Sequence, residues 1–443
     1  MKKKCLFFLL LITIMPVFAQ DGFVFDKGVE KSTVPVQLIN NLVFIPIKVN
    51  GVELNFLLDT GVEETILFSL EDNQKVSFYN SEKITLRGLG SEEAIEGLKT
   101  THNILEIKGM KSTNQLIYVI LDQSFNLSSQ IGIPVNGIIG YQFFSHNLIE
   151  INYARKKVVV YKNNESIKKT IEKRYTKVPV SIEKYKPYLL STVLIDKDKL
   201  PVKLLIDIGN SDAVWLFQKL SAAIKVPSKN FEDFLGKGFS GDIEGKRAKI
   251  SEFSFDKFSF YNPIIAFPDS TSIKSVRMVK DRIGSVGGEI LKRFSAIFDY
   301  TNEKLYLKKN GSFNAPFTYN KSGVEIQHNG LQWVQATVKL ETVPISGAET
   351  FNSKGERVTD NFKYKFQLKP IYEISNIRNN SPAAICGLKV GDVILKVNSQ
   401  PVYTYTLQKI NDMFKSEEDK WIHLEIERDS QIMKFKFQIV DIL

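Results

Sequence analysis

Cysteine is almost absent from this chain of 443 residues, which contains only Cys5 and Cys386. Cys5 lies in an apolar N-terminal run that we interpret below as a cleaved segment. The mature chain then keeps Cys386 alone and cannot form an intramolecular disulfide. Exported proteins without disulfides need domains large enough to be stabilised by core burial. The hydrophobic share of 43% supplies the material for such cores.

Histidine is equally scarce, and the motifs of several enzyme classes are missing. The four histidines are far apart, without a His-Glu-x-x-His motif or paired cysteines that would suggest zinc. The sequence also has no Gly-x-Ser-x-Gly motif, which argues against a serine hydrolase. We therefore predict no metal site and no cofactor. The histidines are His102, His146, His328 and His423.

Long apolar runs are missing except at the N-terminus. There, three lysines precede the apolar run Cys5–Met15, and Val17 and Ala19 provide small residues at the cleavage positions. This pattern predicts a signal peptide over residues 1–19. The run is too short to span a membrane as a helix. We therefore expect export to the periplasm, the cell envelope or the medium.

The formal net charge of +10 is spread along the chain rather than clustered. Dispersed lysines are typical of a solvated surface, with at most a weak attraction to an anionic envelope. No basic cluster or phosphate-binding motif marks a nucleic-acid site. The sequence thus predicts no nucleic-acid partner.

One short pattern occurs twice in the chain. An apolar run leads into Asp59-Thr60-Gly61, and a second apolar run leads into Asp207-Ile208-Gly209, 148 residues later. Further matches at offsets of 147 or 148 residues are Ile95-Glu96-Gly97 with Ile243-Glu244-Gly245, Gly140 with Gly287, and Asn152-Tyr153 with Asp299-Tyr300. Such self-similarity indicates an internal duplication. It predicts two half-domains that each present one aspartate at a turn after a buried strand.

Two features accompany each aspartate turn. A glycine-containing hairpin follows it, with Gly88 and Gly90 in the first half and Gly236 and Gly238 in the second. These glycines favour a mobile flap over a cleft, although an ordinary surface hairpin has the same composition. Each half then contains two apolar or small residues before a glycine, which allows close backbone approach beneath the turn. These segments are Ile138-Ile139-Gly140 and Ser285-Val286-Gly287.

The order of these motifs, in duplicate, resembles the aspartic proteases. The run Asp59-Thr60-Gly61-Val62-Glu63 is closer to the retroviral-type pattern than to the pepsin type. The sequence is similar to retropepsin-like proteases of Bacteroidota, which often carry a C-terminal PDZ domain. The resemblance implies a mainly β fold in which two pseudo-symmetric lobes, residues 23–161 and 177–310, form one cleft.

The resemblance also implies roles for individual residues. Asp59 and Asp207 would form the catalytic dyad, in which two carboxyl groups share a proton and activate a water molecule. The residues expected to support the two turns are Thr60, Gly61, Ile208, Gly209, Ile139, Gly140, Val286 and Gly287. The expected activity is that of an aspartic endopeptidase acting on peptides or proteins. Because both lobes lie in one chain, we expect a monomer.

Ile208 departs from the family pattern. In the family, the threonine after each aspartate ties the two turns together through hydrogen bonds, which Thr60 can make and Ile208 cannot. Losing bonds to buried main-chain groups costs about 1–3 kcal/mol. The alternative function is therefore an inactive protease fold that binds peptides in the cell envelope.

Residues 320–443 resemble a PDZ domain. The run from Ser381-Pro382-Ala383 through Gly391-Asp392 to Asn398 carries the resemblance. PDZ domains bind extended peptides by strand addition, so we expect a peptide ligand along Tyr372, Ile374 and Ile377. Pro370 lies where the loop that captures a terminal carboxylate is expected. Because proline has no N–H, we expect internal peptides to bind at least as well as free C-termini.

Overall fold

A computed structural model describes residues 22–68, 75–86, 95–121, 127–238, 241–272, 278–339, 354, 362–416 and 419–443. The predicted signal peptide and the glycines Gly88 and Gly90 of the predicted first flap lie outside these residues. The fold is mainly β, as the sequence predicts. No helix within the described residues is long and apolar enough to cross a membrane.

The first lobe is built from strands β1–β12 and two short helices. Its central feature is β10, which pairs parallel with β5 on one side and antiparallel with β6 on the other. The elements are β1 (Val24–Phe25), β2 (Lys31–Pro35), β3 (Gln37–Ile39), β4 (Leu42–Val49), β5 (Val52–Leu58), β6 (Thr65–Leu67), β7 (Glu82–Leu86), β8 (Ile95–Ile107), β9 (Met110–Ile120), α1 (Leu127–Ile131), β10 (Gly137–Ile139), α2 (Tyr141–Phe144), β11 (Leu148–Asn152) and β12 (Lys157–Tyr161).

The second lobe repeats this arrangement. Strand β23 pairs parallel with β16 and antiparallel with β17, as β10 does with β5 and β6. The elements are β13 (Thr176–Pro179), β14 (Ser181–Glu183), β15 (Lys186–Ile195), β16 (Asp198–Ile206), β17 (Val214–Leu216), β18 (Asn230–Gly238), β19 (Gly241–Lys249), β20 (Glu252–Phe255), β21 (Phe258–Tyr261), β22 (Ile264–Pro268), β23 (Arg282–Val286), α4 (Gly288–Leu291), β24 (Phe294–Asp299) and β25 (Lys304–Lys309). The pairing pattern supports the internal duplication.

The polar segment between the lobes contains a helix, α3 (Glu165–Glu172). Asn164 caps it, since its side chain accepts a hydrogen bond from the Ile167 N–H at 2.9 Å. Such a cap satisfies one of the free N–H groups of the first turn. Ile171 is buried and belongs to a small cluster with Leu148 and Tyr306. The connector therefore packs against the lobes instead of crossing solvent.

One sheet joins the two lobes. Its strand order is β13-β25-β24-β11-β12-β2, with three strands from each lobe. The junction is the antiparallel pair β11–β24, in which Ile149 lies opposite Phe298 and Asn152 lies opposite Ser295. Core side chains of both lobes belong to one large hydrophobic cluster. The lobes are thus held together by main-chain hydrogen bonds and a shared core.

The third domain has its own sheet and its own core. The sheet order is β26-β27-β28-β30-β31, with β29 beside β28. Its elements are β26 (Val324–Lys339), β27 (Phe362–Ile377), α5 (Pro382–Ile385), β28 (Val393–Val397), β29 (Gln400–Pro401), α6 (Leu407–Phe414), β30 (Trp421–Arg428) and β31 (Gln431–Gln438). Helix α6 buries Leu407, Ile410 and Phe414 in the core of this domain.

Candidate active site

Asp59 and Asp207 occupy equivalent places at the ends of buried strands. Strand β5 ends at Leu58 and β16 ends at Ile206, so each aspartate is the first residue after its strand. The main-chain N–H of Asp59 donates to the Ile139 carbonyl at 3.0 Å, and that of Asp207 to the Val286 carbonyl at 2.9 Å. The central strands of the two lobes therefore fix both aspartates.

The two carboxyl groups face each other across the interface between the lobes. The Gly61 N–H donates to Asp59 Oδ1 at 2.6 Å, and the Gly209 N–H donates to Asp207 Oδ1 at 3.1 Å. A Cβ atom at Gly209 would overlap the Asp59 carboxyl group, and one at Gly61 would lie 3.2 Å from Asp207 Oδ1. Each glycine therefore leaves the space that the opposite carboxyl group occupies.

The floor beneath the dyad also depends on glycine. A Cβ atom at Gly140 would overlap the carbonyl of Val62, and one at Gly287 would overlap the carbonyl of Asp212. Each glycine is the residue directly after a central strand, β10 or β23. The predicted apolar-apolar-Gly segments thus lie where the aspartate turn crosses the strand.

Thr60 makes two hydrogen bonds that join the two aspartate turns. Its hydroxyl donates to the Ile206 carbonyl at 2.6 Å and accepts from the Ile208 N–H at 3.1 Å. Ile208 is fully buried and packs in the shared core. The turn of the first lobe is therefore joined to the second by the hydrogen bonds of Thr60. At the equivalent position of the second lobe, Ile208 packs against apolar neighbours instead.

The surroundings of the dyad act differently on the pKa values of its two carboxyl groups. Burial raises the pKa of Asp59, and the charge of Asp207 raises it further. Burial also raises the pKa of Asp207, but the guanidinium of Arg282 opposes this rise. The two carboxyl groups lie close enough to influence each other's ionisation, so they titrate as one pair.

Arg282 and Lys186 were not predicted from the sequence as site residues. Both line the cavity of about 900 Å³ that contains the dyad. Arg282 is 8% exposed at the start of β23, and its Nε donates to the Gly284 carbonyl at 3.1 Å. The only sequence signal was a charged residue at the beginning of a buried strand. Within the described residues, no group of three or more acidic, histidine or cysteine side chains could hold a metal ion.

The second predicted flap borders the same cavity. Gly236 and Gly238 lie among the last three residues of strand β18, and both line the cavity with the dyad. An ionic network on this hairpin was also not predicted: Arg247 contacts Asp233 at 2.6 Å and Asp212 at 2.7 Å. Asp212 also accepts a hydrogen bond from the Trp215 indole at 2.7 Å. The hairpin is thus tied to the loop that follows Asp207.

Comparison with known families agrees with this geometry. Residues 45–143 match the family model described as aspartyl protease, and residues 373–428 match the one described as PDZ domain. The chain contains an aspartyl protease domain and a PDZ domain. A search of curated proteins finds no match. The protease match covers most of the first lobe, including Asp59, and the relation of the second lobe rests on its repeated topology.

The peptide-binding residues predicted in the PDZ domain need correction. Tyr372 and Ile374 are 4% and 0% exposed and form part of the domain core, against which Ile377 also packs. All three lie on β27, which is an inner strand because β26 and β28 flank it. The side chains of Tyr372 and Ile374 therefore stabilise the domain and are not exposed to a peptide.

The predicted carboxylate loop is also absent from its expected place. Residues 367–371 lie within β27, where Pro370 is opposite Leu331 of β26. Pro370 therefore does not bear on how a terminal carboxylate would bind, and the reason for expecting a preference for internal peptides is lost. Strand β26 is the edge strand beside α6. Strand addition to this sheet would take place at this edge, which α6 and helix α1 of the first lobe border.

Proposed function

We propose that the chain is an exported aspartic endopeptidase that hydrolyses peptide bonds with Asp59 and Asp207. The observation that carries this proposal is the pair of carboxyl groups that face each other in one cleft, each accepting a hydrogen bond from the N–H of the glycine two residues later. Two such groups cannot both ionise cheaply, so one stays protonated while the other is charged. The predicted signal peptide supports export, and the PDZ domain supports a role in recruiting or regulating substrate.

The asymmetry of the dyad suggests the order of proton transfers. The Asp207 carboxylate, favoured by Arg282, accepts a proton from a water molecule that attacks the scissile carbonyl carbon. Asp59 donates its proton to the carbonyl oxygen, which gives a neutral tetrahedral diol. Asp207 then returns a proton to the leaving nitrogen as the C–N bond breaks, and Asp59 recovers its proton from the diol. No covalent intermediate with the protein is formed.

Hydrolysis of a degenerate peptide library by the purified mature chain tests the proposal. We expect cleavage by the parent and loss of nearly all activity in Asp59→Asn and in Asp207→Asn. The two effects should not add in the double variant, because the carboxyl groups act as one unit. Chelators and reagents for serine or cysteine should have no effect. Full activity in either single variant would contradict the assignment.

A catalytically inactive peptide-binding protein is the second candidate. The observation that favours it is Ile208, which removes one hydroxyl from the cross-lobe arrangement. Retention of both carboxyl groups and of the two Thr60 bonds favours the active protease. A library that binds to the chain but is never cleaved would select the second candidate.

A further inference from the structure

The cavity that holds the catalytic dyad is also bordered by the PDZ domain. Its lining includes Asp59 and Asp207 together with Glu325 and Ile326 of the edge strand β26. Its volume of about 900 Å³ lies near the upper end of the roughly 300–1,000 Å³ found for ligand sites. The cleft and the β26–α6 region therefore form one continuous space.

Helix α6 turns its polar face toward this space. The cavity-lining residues recur at the three- and four-residue spacing of one helical face, and the buried residues occupy the opposite face. Those lining the cavity are Gln408, Asn411 and Asp412 of the helix and Lys415, the residue directly after it. Those in the domain core are Leu407, Ile410 and Phe414. The cavity thus meets hydrogen-bonding groups on α6 and not apolar side chains.

Asn411 has unused hydrogen-bonding groups on that face. Its side-chain amide has no hydrogen-bond partner among the described residues. An amide offers two donors and an acceptor, which match the carbonyl and N–H groups of an extended polypeptide. By contrast, the side-chain Nε2 of Gln408 already donates to Asp412 at 2.7 Å, and its Oε1 accepts from the Asn40 N–H at 2.7 Å.

Contacts with both lobes fix the PDZ domain at the cleft. On the first lobe, Gly132 lies against Leu407, and α1 packs against β26. On the second lobe, the guanidinium of Arg378 lies 3.5 Å from Asp233 and 4.3 Å from the ring centre of Phe231. Lys249 Nζ also donates to the Leu443 carbonyl at 3.1 Å. The polar face of α6 therefore has a defined position relative to the dyad.

We propose that this face of α6 is an extension of the substrate-binding cleft, so that one extended peptide contacts both the dyad and the PDZ domain. On one side of the scissile bond, the peptide main chain runs past Asn411 and Lys415. This inference rests on the proposed protease function. It implies that the PDZ domain selects long, extended substrates from within the active-site cleft, without needing a separate recognition sequence.

Substrate length provides the first test. A six-residue peptide chosen from the cleavage library is compared with versions extended by six residues at either end. Two or three additional main-chain hydrogen bonds correspond to roughly a tenfold or greater gain in kcat/KM. We expect this gain for extension at one end only. Equal kcat/KM for all three peptides would overturn the inference while leaving the proposed protease intact.

Variants on two faces of α6 provide the second test. Asn411→Ala and Lys415→Ala should lower the ratio of kcat/KM for the long peptide to that for the short one. Lys409→Ala is the matched control, since Lys409 is exposed on the same helix and does not line the cavity. Alanine favours helix formation, so the fold should be retained. An unchanged ratio in both Asn411→Ala and Lys415→Ala would refute the assigned face.

If the chain cleaves nothing, the protease proposal fails but the inference is still tested. Fluorescein-labelled degenerate peptides of six and fourteen residues are then titrated by anisotropy against the full mature chain. We expect tighter binding of the longer peptides and loss of that difference in Asn411→Ala. Affinity that does not depend on peptide length would overturn the inference.

Discussion

Ile208 allows the cross-lobe arrangement to be tested by substitution. Ile208→Thr would place a hydroxyl where the repeat of the fold puts the equivalent of Thr60. By that symmetry, its partners would be the Leu58 carbonyl and the Thr60 N–H, as Ile206 and Ile208 are the partners of Thr60. Ile208→Val is the matched control because valine and threonine have nearly the same shape.

The magnitudes follow from complete burial of this side chain. Ile208 is 0% exposed, so shortening it to valine should cost about 0.5–1.5 kcal/mol. Two hydrogen bonds made by threonine should contribute about 0.5–1.5 kcal/mol each relative to valine. A hydroxyl without partners would instead cost about 1–3 kcal/mol relative to valine. The sign of the difference in stability between Ile208→Thr and Ile208→Val therefore shows whether residue 208 can form the second pair of hydrogen bonds between the turns.

Calorimetry of the three proteins measures this difference. For the two lobes together, a change of 1 kcal/mol in the free energy of unfolding corresponds to about 2 °C in Tm. We expect Ile208→Thr to melt a few degrees above Ile208→Val and close to the parent. We also expect it to hydrolyse peptides faster than the parent, because the dyad is held more rigidly. A threonine variant that is less stable than the valine variant, or slower than the parent, would show that Ile208 is an adapted part of the site.

Three further predictions concern the dyad and its surroundings. Because burial raises the pKa of Asp59 above its unfolded value, folding stability is lost as the pH rises through the folded pKa. Asp59→Asn should therefore raise Tm by an amount that is negligible near pH 4 and grows toward neutral pH, as measured by calorimetry across pH. Arg282→Gln removes the charge that favours the ionised form of Asp207, so the acid limb of the pH–rate profile should move to higher pH; an unmoved limb would contradict the proton assignment. Gly209→Ala should cost about 1–3 kcal/mol and nearly all hydrolysis by overlapping Asp59, whereas Gly311→Ala, which meets no atom within 4 Å, should do neither.

Local patterns account for several strands and turns of the lobes. Strand β4 covers the mostly apolar run Leu42–Val49. Asn50 and Gly51 both have positive φ, 49° and 90°, as a tight turn between paired strands requires. The duplication then placed Asp59 and Asp207 in equivalent positions. Sequence was sufficient here because each feature depends on residues close together in the chain.

The PDZ domain shows where the same reasoning was wrong. The resemblance placed a carboxylate-binding loop at Pro370, yet this residue lies in the long strand β27. The strand tolerates it because the pairing shifts register between His328 and Leu331, and Pro370 lies opposite Leu331 at that irregularity. Proline within sheets is found at such bulges. Strand β27 is an inner strand because β26 pairs with it, and no sequence pattern near β27 predicts that pairing.

Arg282 and the position of the PDZ domain could not be predicted for a related reason. Their roles depend on partners remote in sequence: the charge of Arg282 lowers the pKa of Asp207, and Arg378 lies beside Asp233. A single charged residue in a sequence does not identify the group that it will face after folding. The internal duplication is the exception, since a repeat carries information about which distant segments adopt equivalent positions.

The interface between the lobes explains how a dyad can persist with half of its threonine bonds. Four residue pairs of β11 and β24 join the lobes through the central sheet, and the Asn41 side chain donates across the cleft to the Ser211 carbonyl at 2.8 Å. These contacts position the lobes independently of the aspartate turns. Thr60 then has only to set the local distance between the turns, which its two hydrogen bonds do from one side. Thr60→Val would leave the Ile206 carbonyl and the Ile208 N–H unpaired at about 1–3 kcal/mol each, so it should impair the dyad more than Ile208→Thr alters it.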